Sequence, residues 1–175
     1  MSRKRTGNRR SVRLPWRDSV RRGVFLVTVC TYDRRPSLGM YRGVSIDLTD
    51  AGAIADDCIR QIPLHNVYVR VIARSVQPDH IHVLVELCYP MHEPAIIMES
   101  FSNPVPGSIA TIVRSMKSAV TNLVRQKGLI VNNPFWQRGY DLRAIRSKRG
   151  VCAVRTYVER NTIIHIRRLS KRRRN

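Results

Sequence analysis

The chain has 175 residues, with 32 Lys and Arg against 12 Asp and Glu, so its net charge at pH 7 is +20. This length favours one domain with its own hydrophobic core, and the 43% of hydrophobic residues argues against a wholly disordered basic chain. No apolar run approaches the roughly 18–20 residues that span a bilayer, and no apolar stretch follows the basic start as in a secretory signal, so the composition argues against membrane and secreted proteins.

The first half of the chain predicts a strand, a helix and two more strands. Val24–Thr31 is β-branched and apolar, which predicts a buried strand. Residues 48–50 offer a helix cap, and the apolar helical pattern that follows ends at Pro63. Alternation of apolar and polar residues over Val67–Val71 and over His80–Leu87 predicts two strands, separated by a Pro-Asp turn.

The second half predicts a helix, a strand and a last helix. Pro90–Pro106 is rich in proline and predicts a loop insertion. A long amphipathic helix then begins at Gly107-Ser108 and ends at Gly128. Its predicted apolar face consists of Ile109, Ile112, Val113, Met116, Val120 and Leu123. Residues 135–146 look extended, and the last helix runs from Lys148 to about Asn161. This order predicts an α+β ferredoxin-like (βαββαβ) sandwich with an antiparallel sheet and an additional C-terminal helix.

The positive charge is concentrated at the two ends of the chain. Residues 1–22 carry nine Lys and Arg against one acid, and residues 137–175 carry thirteen against two, whereas residues 23–136 are almost neutral. Two basic ends on a neutral body favour nucleic acid as the partner, with a solvated tail as the alternative. We therefore divide the chain into a basic N-terminal arm (1–22), a folded domain (23–163) and a basic C-terminal tail (164–175).

The four cysteines give no sign of metal or redox chemistry. Cys30, Cys58, Cys88 and Cys152 are far apart and form no C-x-x-C pair. Each is predicted to be a buried, reduced thiol, which is typical of a cytoplasmic protein.

Two histidines on one predicted strand are candidate metal ligands. His80 and His82 are two residues apart, so both imidazoles project from the same face of the strand and can reach one metal ion. Glu86 shares that face, but it lies four residues further along and is a weak candidate ligand. The alternative is that the histidines are two polar positions on a half-exposed strand.

The last predicted helix carries a candidate nucleophile. Tyr157 and Asn161 lie one turn apart, along the edge of an apolar stripe that contains Val154 and Val158. A packing tyrosine beside a solvated asparagine is the alternative. A phenol with a pKa near ~10 is a weak nucleophile, but a divalent metal that polarises a phosphate makes its attack feasible. Two histidines and the oxygen of Asn161 could hold that metal, which indicates a phosphodiester transesterase that forms a phosphotyrosine.

The chain resembles the single-tyrosine HUH transposases of the insertion-sequence-200-like group, and among them the REP-associated tyrosine transposases. The likeness covers about residues 9–165. It is carried by six segments in this order: RRSVRLP, FLVTVCTYDR, QPDHIHVLVE, GSIATIVRSMKSAVT, FWQRGYDLRAIR and YVERN.

This resemblance implies a site and a reaction. His80 and His82 would bind Mg²⁺ or Mn²⁺ with Asn161 as the third ligand, and Tyr157 would be the nucleophile. The enzyme would cleave and rejoin single-stranded DNA beside REP-like hairpins through a 5′-phosphotyrosine, without ATP, in the bacterial cytoplasm. Lys117 and Arg138 resemble DNA contacts that would add to the basic ends, although a solvated surface explains both nearly as well.

The resemblance leaves the oligomeric state open, because related enzymes resemble either homodimers that exchange the tyrosine helix or monomers. The chain also departs from the family pattern at three places. Asp79 replaces the usual asparagine of P-N-H, Thr162 replaces the proline after the last asparagine, and Tyr140–Arg143 lacks the usual histidine. None of these changes removes a predicted catalytic group. A non-catalytic module that binds structured DNA or RNA on the same scaffold is the alternative function.

Overall fold

The computed structural model describes residues 22–43, 45–88, 107–129 and 134–161. Its main sheet has four antiparallel strands in the order β4-β5-β1-β6, and a separate hairpin is formed by β2 and β3. The strands are β1 (Gly23–Cys30), β2 (Gly39–Arg42), β3 (Ser45–Leu48), β4 (Val69–Gln77), β5 (His80–Leu87) and β6 (Asp141–Ile145). The helices are α1 (Asp50–Arg60), α2 (Ile62–His65), α3 (Ile109–Gln126) and α4 (Lys148–Glu159).

The predicted ferredoxin-like sandwich is confirmed. In chain order, β1, α1, β4, β5, α3 and β6 give the βαββαβ pattern, and α4 is the additional C-terminal helix. One face of the sheet, with Val27 and Val83 among its residues, packs with α1 and α3 in the larger core. The opposite face forms a smaller apolar cluster with Val158 of α4. The two central strands are therefore covered on both faces.

Side-chain caps begin the three longer helices where the sequence contains hydroxyl residues. Thr49 accepts a hydrogen bond from the Gly52 amide at 3.1 Å, and Ser108 accepts one from the Thr111 amide at 3.2 Å. Ser147 does the same at the start of α4. Each cap satisfies an amide that has no partner within its helix, which confirms the predicted starts of α1 and α3.

The hairpin of β2 and β3 was not predicted. Its strands are four residues each and mostly exposed, so they carry no apolar alternation. Main-chain hydrogen bonds from Leu38 to Pro78 and from Thr49 to Leu38 attach it to the sheet and to α1. At Gly52 an added Cβ would lie 1.9 Å from the Leu38 carbonyl oxygen, so only glycine allows this approach.

Several sequence predictions are wrong in detail. Val67 lies before β4 and is exposed. Leu123 is exposed while Val124 is buried, because Val124 continues the four-residue spacing of Met116 and Val120. The extended segment 135–146 contains only five strand residues, preceded by an isolated bridge between Thr31 and Trp136.

The structure tests the prediction for the cysteines, but not the predictions for the loop, the basic arm and the basic tail. All four cysteines are free thiols, as predicted, but Cys152 is exposed and the other three are only partly buried, so the prediction that each is buried is wrong. The predicted loop Pro90–Pro106, the basic arm except for residue 22, and the whole tail 164–175 lie outside the described residues. Within the described ranges, no helix is long and apolar enough to cross a membrane.

Candidate active site

The two predicted metal ligands lie on the central strand β5, on the sheet face that α4 covers. His82 pairs across the sheet with Thr28 of β1 and Ser75 of β4. His80 pairs with Cys30 and Gln77 in the same way. Because paired residues project to the same face, these side chains form two adjacent rows that run across the three strands. Both histidines are more than nine-tenths buried, so the half-exposed strand that was the alternative is not what the structure shows.

Hydrogen bonds hold both imidazole rings through the same nitrogen. His80 Nδ1 lies 2.6 Å from Asp79 Oδ1, and His82 Nδ1 lies 2.9 Å from Thr28 Oγ1. The ring centroids are 4.7 Å apart. Within the described part of the chain neither Nε2 makes a hydrogen bond. Metal-binding histidines are typically held in this way, with one nitrogen on a polar partner and the other available to the metal.

The electrostatics of the site suit cation binding. Burial would raise the pKa of Asp79, but the hydrogen bond and charge of His80, together with Arg34, lower it. Asp79 is therefore an ionised acceptor at neutral pH. Burial, with His80 and Arg34 adding to it, lowers the pKa of His82 to about 4. His82 is consequently neutral at pH 7, and a metal can bind it without displacing a proton.

Helix α4 brings Tyr157 to the histidines. Val158 is fully buried against Leu26 and Leu84, which fixes this helix on the sheet. The Tyr157 ring then lies over His82, with a centroid distance of 5.7 Å and an interplanar angle of 60°. The predicted nucleophile and one predicted metal ligand, which are 75 residues apart in the sequence, are thus in contact.

Asn161 is buried rather than solvated, so the alternative interpretation of this residue is wrong. It lies two residues beyond the last residue of α4 and is 4% exposed. Its amide nitrogen is buried and, among the residues that the structure describes, has no hydrogen-bond partner. An unsatisfied buried polar group costs about 1–3 kcal/mol. Because amide nitrogen and oxygen exchange places by a 180° flip, the oxygen can occupy this position, where a cation could be its partner.

His80, His82 and Asn161 offer two imidazole nitrogens and one amide oxygen, which are donor types that a divalent metal accepts, and Asn161 as the third ligand stays a prediction. Among the described residues, no group of three or more His, Cys, Asp or Glu is arranged to bind a metal, so the set depends on Asn161. Glu86 is not available as a ligand, because its carboxylate forms an ion pair with Arg70. A three-ligand site leaves positions for water or a phosphate oxygen.

Lys117 and Arg138, the two predicted DNA contacts, lie close together at the segment before β6. Lys117 Nζ donates to the carbonyls of Gln137 at 2.8 Å and Gly139 at 3.1 Å, and burial lowers its pKa. The Trp136 indole donates back to the Lys117 carbonyl. Lys117 thus attaches this segment to α3. Arg138 is exposed on the same segment, and its contact with DNA stays a prediction.

Sequence reasoning missed the polar residues that surround the histidines. Gln77 is fully buried and donates to Ser75 Oγ at 2.7 Å, and the Tyr41 hydroxyl donates to Gln77 Oε1 at 3.3 Å. Burial, together with the charge of Asp79, raises the pKa of Tyr41 to about 12. The polar residues Ser75 and Gln77, alternating with apolar Val76 before the Pro-Asp turn, were a weak signal for this network.

Comparisons with known proteins identify the fold. No family model matches the chain. An uncharacterized protein of Haemophilus influenzae is 25% identical over 163 residues, which cover 90% of this chain and 89% of that protein. A REP-associated tyrosine transposase bound to a REP hairpin superposes with a TM-score of 0.56 and 18% identity, over 84% of this chain and 70% of that one. A candidate transposase from Deinococcus radiodurans superposes with a TM-score of 0.50 and 17% identity, over 80% and 91%. The chain therefore has the fold of these transposase structures.

Proposed function

We propose that this protein is a transposase that cleaves and rejoins single-stranded DNA with Tyr157 as its nucleophile. The observation that carries the proposal is the contact of Tyr157 with His82, on a face where His80 and His82 both keep Nε2 available. The shared fold supports it, and one of the similar transposases is bound to a REP hairpin. DNA that contains such a hairpin is accordingly the proposed substrate.

The proposed reaction exchanges one phosphate ester for another. The Tyr157 hydroxyl oxygen attacks the scissile phosphorus and loses its proton to solvent. The bond from phosphorus to the 3′ oxygen breaks, and that oxygen takes up a proton and leaves as a free 3′ hydroxyl. The 5′ phosphate remains bonded to Tyr157. One phosphate ester bond replaces another, so no ATP is needed. Attack by a 3′ hydroxyl on the phosphotyrosine reverses the step and joins two strands.

The residues of the site have distinct parts in this reaction. His80, His82 and Asn161 would hold Mg²⁺ or Mn²⁺, which when bound polarises the scissile phosphate and stabilises its developing charge. Asp79 and Thr28 orient the two imidazoles. Lys117, Arg138 and the basic ends would contact the phosphate backbone, which requires positive charge but no particular geometry.

Covalent capture of DNA tests the proposal. We would incubate the protein with end-labelled single-stranded oligonucleotides that carry the hairpins adjacent to its own gene, with Mn²⁺ or with chelator. We expect a denaturation-resistant protein–DNA adduct that requires Mn²⁺ and is absent in Tyr157→Phe. Tyr68→Phe is the matched control, because Tyr68 is exposed and lies beside the opposite end of β5 from the histidines, and it should form the adduct normally.

Two outcomes would overturn the proposal. An undiminished adduct in Tyr157→Phe would show that another residue is the nucleophile. Salt-sensitive binding of the hairpins in Mn²⁺ with no adduct would instead support the non-catalytic DNA- or RNA-binding module.

A further inference from the structure

The turn after β1 holds two consecutive residues in a conformation that L-amino acids rarely adopt. Asp33 and Arg34 have φ values of 53° and 55°, and they are the only non-glycine residues with positive φ in the described part of the chain. Left-handed backbone is unfavourable for residues other than glycine, and such strain is retained where the surrounding structure enforces it, often at functional sites.

A buried threonine enforces this turn and attaches it to the start of β5. Thr31 is fully buried, and its hydroxyl lies 2.7 Å from the Arg35 carbonyl oxygen and 2.9 Å from that of Asp79. The Thr31 amide also donates to the Asp79 carbonyl at 3.0 Å. The strained turn and Asp79 are consequently held as one unit.

This unit places a guanidinium group on the carboxylate that contacts His80. Arg34 Nη1 lies 3.4 Å from Asp79 Oδ2, while Asp79 Oδ1 lies 2.6 Å from His80 Nδ1. The side chains of Arg34 and Asp79 are 48% and 27% exposed, and an ion pair so exposed contributes little to stability. Stability alone therefore does not explain why a strained turn is kept to form it.

We propose that Arg34 is a positioning residue that acts through Asp79 on His80. Arg34 holds one carboxylate oxygen, so that the other accepts the Nδ1–H of His80 and the Nε2 lone pair points to the metal. A carboxylate partner also makes an imidazole a stronger ligand than an amide partner would. Arg34 thereby balances the charge that Asp79 introduces where the family pattern has asparagine. This inference rests on the proposed function, because it takes His80 to be a metal ligand.

Substitution of Arg34 distinguishes a role in positioning His80 from a simple effect of the Arg34 charge on Mn²⁺ binding. Removing a positive charge near a cation site should by itself strengthen Mn²⁺ binding. If Arg34 positions His80, Arg34→Met should instead weaken Mn²⁺ binding several-fold, measured by calorimetry. In an Asp79→Asn background the positioning effect is lost, so the same substitution should strengthen Mn²⁺ binding or leave it unchanged. Arg42→Met, which removes the exposed ion pair with Asp47, is the matched control and should behave as wild type.

A second measurement examines the metal-free protein. Nitrogen-15 NMR should show His80 protonated at Nδ1 in wild type and a mixture of tautomers in Arg34→Met. Equal strengthening of Mn²⁺ binding by Arg34→Met in both backgrounds, or an unchanged His80 tautomer, would overturn the inference. A tautomer change in a protein that forms no DNA adduct would uphold the positioning role and overturn the proposed function, so the two failures are distinguishable.

Discussion

Asn161 carries the cost of an unsatisfied buried amide, and that cost can be measured. We expect Asn161→Leu to leave the metal-free protein as stable as wild type or about 1 kcal/mol more stable, since the orphaned amide is removed. Wild type should be stabilised by Mn²⁺, by RT ln(1 + [Mn²⁺]/Kd), whereas the variant should lose most of this gain. Chemical denaturation in chelator and in Mn²⁺ gives both quantities.

The control for this prediction is an asparagine whose amide is satisfied. Asn66 donates from its amide nitrogen to the Ile62 carbonyl at 2.9 Å. Asn66→Leu should therefore destabilise the protein by about 1 kcal/mol and leave its response to Mn²⁺ intact. An Asn161→Leu variant that is much less stable in chelator, yet still responds fully to Mn²⁺, would contradict Asn161 as a ligand.

The residues of the site differ in how far the sequence could predict them. His80 with His82, and Tyr157 with Asn161, are pairs whose local spacing alone places them on one face. The contacts of Thr28 with His82 and of Arg34 with Asp79 join residues 54 and 45 positions apart. Local sequence spacing cannot predict such contacts, because they depend on strand pairing and on the strained turn. That Tyr157 lies beside His82 was expected from the chemistry that joins the two pairs and from the family resemblance, not from local spacing.

At the scale of elements, the helices and strands with a clear hydrophobic periodicity were predicted correctly from the sequence. α1, α3 and α4 have apolar stripes and hydroxyl caps, β1 has an apolar run and β5 has an apolar–polar alternation, so each was found to within a few residues. The hairpin of β2 and β3 was missed because its stability comes from main-chain contacts with the sheet and α1. Strand β6 was predicted too long, because its preceding segment forms only an isolated bridge with Thr31 and is otherwise held by side-chain hydrogen bonds of Lys117 and Trp136.

One acidic residue joins α1 to β4, and its contribution should depend on pH. Asp56 Oδ1 accepts from Arg74 Nε at 2.7 Å, and Oδ2 forms an ion pair with Arg60. Burial would raise the pKa of Asp56, but the hydrogen bonds and charges of the two arginines outweigh it and lower the pKa. This contribution is present above the ordinary value of 3.8 and is lost as the pH falls through the lowered value.

We therefore expect Asp56→Asn to reduce the unfolding free energy by about 1–3 kcal/mol at pH 7. The difference between variant and wild type should shrink as the pH falls below 3.8. Urea denaturation over a pH series measures this. Asp47→Asn, which removes the exposed pair with Arg42, should change stability little at any pH. An equal loss in the two variants would contradict a specific link between α1 and β4.

At the scale of the molecule, the nearly neutral segment 23–136 lies in the sequence between two basic ends. The tail 164–175 contains six Lys and Arg, and the proposed function makes it a candidate for phosphate contacts. Deleting it should reduce the slope of log K against log salt for single-stranded DNA by up to about 4, since each contact contributes about 0.7. Fluorescence anisotropy at several salt concentrations measures the slope.

The same deletion should leave the thermal midpoint of the domain unchanged if the tail serves only in binding. An unchanged salt slope, with weaker binding at every salt concentration, would show that the tail acts on the fold and not on phosphates.

Along strand β5, positions 80 and 82 carry the proposed metal ligands, whereas the odd-numbered positions belong to the larger core. His80 and His82 face α4, while Ile81, Val83 and Val85 face the larger core, so one strand carries two independent sets of positions. Replacing the even-numbered ligands changes no contact in the core formed by the odd-numbered residues. The donor atoms of the proposed site can therefore be exchanged, by natural mutation or by design, without a change in the larger core. If the proposed function is correct, a descendant of this chain that lost catalysis would keep the larger core and the same architecture.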